Sequence, residues 1–140
     1  MTASEGVFGA VLFTNRWVLD ASALLALLHA ERGGEQVEPL LGQAAISSVN
    51  WAEVAQKSLE RGRAPQALRE DLEALGLQMV PFDAEDAEAT AELWQAGRSH
   101  GLSLGGRACL ATAGRLAVPA VTADRRWETL DVAVAVLVIR

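Results

Sequence analysis

Three carboxylates fall where an α/β chain can use them together. Asp20 and Asp124 are each the acid reached as a short apolar strand ends, in Trp17-Val-Leu-Asp20 and Val121-Thr-Ala-Asp124. In open parallel sheets, ligands bind beyond the carboxyl ends of the strands, near the point where strand order reverses. Glu53 lies on the helical stretch after a second strand, in Ser48-Val-Asn-Trp-Ala-Glu53, with Asn50 three residues earlier on the same face. Gathered carboxylates repel and raise one another's pKa, and a divalent cation reverses that cost. Such a site orients a water, favours its ionised form and offsets charge developing on a phosphate. The three acids are therefore expected to meet around one hard cation. The plainer reading makes Asp20 and Asp124 helix N-caps, a role aspartate fills well. Their shared placement at strand ends favours the site.

Composition narrows the chemistry. The 140 residues are 51% hydrophobic and 21% charged, which suits one domain with a well-supplied core. Lys plus Arg is 12 against 18 for Asp plus Glu, a net charge of −6. That balance excludes a protein that coats nucleic acid by bulk charge, but not a local basic patch. The single Cys109 excludes an internal disulfide and a cysteine-built zinc site, and His29 and His100 are too scattered for a histidine cluster. Carboxylates remain, and they favour magnesium or manganese. The apolar stretch from Val7 to Phe13 is too short to cross a bilayer and has no positive region before it. A cytoplasmic protein with no membrane partner is expected.

The elements that must position these acids recur as a short apolar strand followed by a helical pattern. Strands are expected at 16–20, 44–47, 78–82, 120–122 and 133–139, and helices at 21–31, 48–61, 64–75, 83–99 and 105–116. Pro65 suits a first helical turn, and Asp83 with Asp86 forms a variant capping box. Alternating strands and helices imply parallel pairing with right-handed crossovers, hence an α/β fold with a helix-flanked central parallel sheet. Residues 1–15 precede the first unit and are read as an added edge strand, a disordered leader or a start-site artefact. Residues 16–140 form the domain.

Four segments together resemble the PIN-domain ribonucleases, in particular the VapC-type toxins of toxin–antitoxin pairs. Val18-Leu-Asp20-Ala-Ser22 is similar to the family's first motif, and Ser47-Ser-Val-Asn50-Trp-Ala-Glu53 to its second. Leu102-Ser-Leu-Gly105-Gly106-Arg107 resembles the third, and Ala120-Val-Thr122-Ala-Asp124-Arg-Arg-Trp127 the fourth. The resemblance implies that Asp20, Glu53 and Asp124 bind Mg2+ or Mn2+, that Ser22 and Thr122 support them by hydrogen bonds, and that Asn50 fills the small polar position beside Glu53. It implies hydrolysis of RNA phosphodiester bonds by metal-activated water, a homodimer, and a small antitoxin over the cleft. Arg107, Arg125 and Arg126 lie near the motifs and are candidate contacts to RNA phosphates. One departure stands out: the family's third motif usually has an aspartate where this chain has Gly106. The loss of that acid implies impaired catalysis.

Other features read as structural. The acidic run Asp83, Glu85, Asp86, Glu88 and Glu92 suits a helix start and its dipole. Cys109 is expected in the core, the arginines elsewhere in solvent, and Trp17, Trp51, Trp94 and Trp127 as core or interface anchors. Gly105-Gly106 at a helix start is an alternative cradle for phosphate, without a GxGxxG or GxxxxGK[ST] pattern to support it. A catalytically inactive PIN-fold module that binds an antitoxin is the second functional reading. A phosphotransfer or phosphatase domain ranks below both. Ser22 stands where a haloacid-dehalogenase-type phosphatase needs a second aspartate, and Lys57, the only lysine, is in the wrong segment for a receiver domain.

Overall fold

The computed structural model describes residues 15–140. The expectation for residues 1–15 lies, apart from Asn15, outside the described residues. Five strands form one parallel sheet: β1 Trp17–Leu19, β2 Ala44–Ser47, β3 Gln78–Val80, β4 Ala120–Thr122 and β5 Val136–Val138. Their order is β3-β2-β1-β4-β5, so the chain reverses direction across the sheet between β1 and β4. Strand residues alternate between two layers of core, as the twofold period of a strand requires. Leu19, Ile46 and Val121 enter one cluster with Leu24, Val54, Leu68 and Leu72. Val18, Ala45 and Ala120 enter the other with Cys109, Leu110 and Ala113. The α/β expectation therefore holds, and Cys109 is a core residue.

Helices cover both faces. α1 (Ala21–Leu28) is apolar at every position except Ser22, and it buries Ala23, Leu24 and Ala26. α2 (Gly34–Val37) and a 3-10 turn (Glu38–Gln43) lead into β2. α3 (Ser48–Glu60) and α4 (Pro65–Ala74) follow, and α4 has its proline in the first turn. α5 (Ala84–Glu92), α6 (Trp94–Arg98) and α7 (Leu104–Leu116) precede β4. The capping box is present, with Asp83 and Asp86 each accepting from the other's backbone N–H. No helix among the described residues is long and apolar enough to cross a membrane.

Several expectations are corrected. α1 stops at Leu28 rather than residue 31, because His29 caps it and Ala30 takes a left-handed φ of 52°. The helix expected over 83–99 is two helices. Leu93 N–H donates to the Thr90 and Ala91 carbonyls in place of the next α-helical bond, and Thr90 Oγ1 donates back to the Asp86 carbonyl at 2.7 Å. Such back-bonding competes with the helical ladder. Of the core and interface roles expected for Trp94, the core one is excluded: the ring is 53% exposed, with the Arg98 guanidinium 5.0 Å from its centroid.

Arg115 is likewise no simple surface group. Its Nε donates to Asp86 Oδ1 at 2.8 Å, so a buried carboxylate of α5 is clamped by α7. Arg115→Ala is expected to lower stability by about 1–3 kcal/mol by leaving Asp86 short of a partner. Urea denaturation at neutral pH measures this, and an unchanged midpoint would show that the α5–α7 clamp contributes nothing.

Candidate active site

The site begins with a buried carboxylate. Asp20 directly follows β1 and caps α1, with Oδ1 accepting from Ala23 N–H at 2.8 Å. Ser22 Oγ also donates to Oδ1 at 2.7 Å, and Thr122 Oγ1 donates to Oδ2 at 2.6 Å. The backbone fixes the direction of both hydroxyls. Ser22 Oγ accepts from Ala123 N–H at 2.9 Å, and Thr122 Oγ1 accepts from Asp124 N–H at 3.0 Å, so each hydroxyl proton is left for Asp20. An ionised carboxylate has about four acceptor positions. Three are filled here, and one remains.

Burial dominates the electrostatics of Asp20. It pushes the pKa up from 3.8 to about 6, against the lowering effect of the hydrogen bonds from Thr122, Ala23 and Ser22. The negative charge of Glu53 adds to the rise. The same burial pushes the thiol of Cys109 well above its ordinary value, so that sulfur stays protonated and inert.

Glu53 is held from the other wall. Asn50 Nδ2 donates to Glu53 Oε1 at 3.1 Å and to the Gly105 carbonyl at 2.9 Å, tying α3 to the start of α7. Both partners are acceptors, so the amide cannot be turned round without losing both bonds. Asn50 Oδ1 is left as a buried acceptor with no partner among the described residues. Gly105 is glycine for a steric reason: a Cβ there would overlap the Glu53 carboxylate, at 2.9 Å from its Cδ. Next to it, Gly106 packs under Leu102 and Trp127, and a Cβ would lie 2.7 Å from Leu102 Cδ1 and 3.1 Å from Trp127 Cζ2. The Gly106 N–H donates to Ser103 Oγ at 3.1 Å. That donor is already used, which weakens the reading of this helix start as a phosphate cradle.

Asp124 follows β4 and caps the 3-10 turn Arg125–Thr129, accepting from Arg126 N–H at 3.0 Å. The Arg126 guanidinium grips both of its oxygens, with Nε 3.0 Å from Oδ1 and Nη2 2.7 Å from Oδ2. Hydrogen bonding from Arg126 holds the Asp124 carboxyl below the usual range, assisted by the positive charge.

One cleft of about 160 Å³ is lined by Asp20, Ser22, Asn50, Glu53, Gly106, Asp124 and Arg126, together with Ala21, Gly101, Leu102, Ser103 and Trp127. Thr122 stands behind it, bonded to Asp20. Arg107 does not line it, and its Nη1 donates to the Thr90 carbonyl at 3.3 Å. Arg125 is exposed and also lies outside the lining. The three acids thus share a cleft, yet they are not a ready-made ion site. Among the described residues no three His, Cys, Asp or Glu side chains are grouped so as to hold a metal. Asp124 gives both oxygens to Arg126 instead. The motif spacing carried no sign of the roles of Gly105, Leu102 and Ser103; only the adjacent glycines hinted at a close approach.

The fold and cleft define a class: an α/β domain that gathers acids where its strand order reverses. The chain belongs to the PIN domain family, whose model matches residues 17–133. No curated protein sequence matches it. Among solved structures it is similar to a chain of a toxin–antitoxin complex from Klebsiella pneumoniae, with 23% identity and a TM-score of 0.66 over 81% of this chain and 92% of that one. It is also similar to a chain of DNA-bound VapBC from Salmonella typhimurium, with 17% identity and a TM-score of 0.62 over 87% and 96%. For FitAcB from Neisseria gonorrhoeae the values are 23% and 0.61 over 86% and 96%. These likenesses concern the fold.

Three substitutions test these readings. Because the folded-state pKa of Asp20 is raised, its ionised form destabilises the metal-free protein. The penalty is absent below about pH 4, builds towards about pH 6 and is complete above, amounting to about 3 kcal/mol. Asp20→Asn is therefore expected to gain stability over the parent as pH rises through that window, measured by denaturation in the presence of a chelator. An advantage that does not vary with pH would contradict the raised pKa. Gly114→Ala, where a Cβ meets only Val134 Cγ2 at 3.5 Å, is expected to stabilise by about 0.5–1 kcal/mol. Gly105→Ala is expected to show no such gain, because Glu53 must move, and equal rises in melting temperature would refute the close approach.

Proposed function

We propose that this chain is a metal-dependent endoribonuclease of the VapC toxin type whose activity is lowered by Gly106. The observation that carries the reading is the convergence of Asp20, Glu53 and Asp124, from three separated segments, on one cleft at the strand-order switch. Membership of the PIN family and the toxin–antitoxin character of similar structures support it.

The residues present suit a hard divalent cation. The donors are oxygens only. Asp20 keeps one open acceptor position and a pKa raised by burial and by Glu53, a state that positive charge relieves. Asn50 Oδ1 is a buried oxygen in need of a donor or a cation. Asp20, Glu53 and Asp124 would hold Mg2+ or Mn2+, which supplies a water of lowered pKa and charge to offset the phosphate. The chain's own residues do the rest. Ser22 and Thr122 fix the Asp20 carboxylate, Asn50 fixes Glu53, and Arg126 supplies positive charge for RNA in the cleft.

The same reading gives the chain a second copy of itself and an antitoxin as partners.

One observation favours the second reading, an inactive antitoxin-binding module: Leu102 and Trp127 close over Gly106, in the space an acidic side chain would need. Cleavage of a mixed RNA pool with Mg2+ separates the two. Gly106→Asp is expected to raise the rate by about two to three decades, because one charged contact is regained and the flexible end of Leu102 can turn aside. Asp20→Asn in that background is expected to abolish it. Folded Gly106→Asp protein with no metal-dependent cleavage would leave the binding module as the better account.

A further inference from the structure

Arg126 is the one basic residue among those lining the cleft, and it shares that lining with three carboxylates. Its side chain is committed to one of them. Three guanidinium contacts of 2.7–3.2 Å and a backbone N–H contact of 3.0 Å place it across both oxygens of Asp124. Gly101 makes room for this pose, since a Cβ there would stand 2.8 Å from Arg126 Nη1. The carboxylate that would complete a three-acid cation site is therefore occupied by a cation of the chain's own.

Exposure sets how firmly that cation is held. The Arg126 side chain is 63% exposed and that of Asp124 27%. An ion pair in contact with water is weak, because solvent screens it and rewards its release. A divalent ion brings two charges to the same oxygens and to Asp20 and Glu53 beside them. We propose that Arg126 is an exchangeable counter-ion: it occupies Asp124 in the metal-free chain, gives the carboxylate up when a divalent cation binds, and is then free to take a phosphate of the substrate. This rests on the cation site proposed above, and it adds a role for Arg126 on both sides of the exchange. It also accounts for three acids that share a cleft without forming an ion site as they stand.

The exchange predicts a competition that can be read without any catalytic assay. Calorimetric titration of the chelator-treated protein with Mn2+ is expected to give a dissociation constant about two- to fivefold lower for Arg126→Ala than for the parent, matching the worth of an exposed ion pair. With Asp124→Asn in both proteins, that difference is expected to vanish. In the parent, the Arg126 Nε–H resonance, sheltered by the ion pair, is expected to exchange faster with water as Mg2+ is added. Equal or weaker Mn2+ binding by Arg126→Ala would overturn the inference while leaving the cation site intact. Failure of both proteins to bind Mn2+ would overturn the cation site and the inference together.

Discussion

The structure turns on a carboxylate that is expensive to bury and is buried nonetheless. Asp20 joins the end of β1, the start of α1 and the end of β4 through three donors, two of them hydroxyls whose protons are aimed by backbone N–H groups. Those donors offset part of the burial penalty and hold the ends of β1 and β4 together around one oxygen pair. The same bonds that stabilise the fold leave the carboxylate with an open acceptor position and a pKa near the physiological range. The N-cap bond and the place on the cleft belong to one arrangement, so the N-cap and site readings of Asp20 do not compete.

The opposite wall is built by subtraction. Two adjacent glycines open α7, a choice that lowers intrinsic helix stability. Ser103 compensates at the N-terminus, and the missing side chains are used twice. At Gly105 the space is filled by the Glu53 carboxylate, which Asn50 holds against the helix. At Gly106 it is filled by Leu102 and Trp127, which make this part of the cleft wall apolar. The first glycine serves the acidic site, whereas the second narrows it.

Much of this was legible in the residues. The order of strands and helices, the parallel sheet and the placement of Asp20 and Asp124 followed from short apolar runs ending in an acid. Those signals are local, and burial on both faces of a parallel sheet makes them strong. What stayed hidden depended on partners far along the chain. The break at Leu93 sits beside a Thr90 carbonyl that also receives Arg107, and Arg107 is thereby drawn away from the cleft that its motif position suggested. Arg115 looked like a surface charge until α5 brought Asp86 beneath it. The Asp124–Arg126 pair was different: both residues stood in plain view two positions apart, but sequence does not give the direction of a side chain, and that direction decides whether the acid faces a metal or a guanidinium.

Two arginine–carboxylate pairs in one chain show why solvent, more than distance, sets their roles. Arg115–Asp86 and Arg126–Asp124 have nearly equal shortest contacts, 2.8 and 2.7 Å. Asp86 is 5% exposed and also bound into a capping box, so releasing Arg115 leaves a carboxylate that water reaches poorly. Asp124 opens onto a cleft and Arg126 onto bulk water, so parting them lets solvent or an ion solvate both groups. The first pair is accordingly a fixed joint between helices. The second is a contact the molecule can exchange without unfolding anything, which is the property a cleft needs if its acids are to accept a cation and its arginine is to meet an anion.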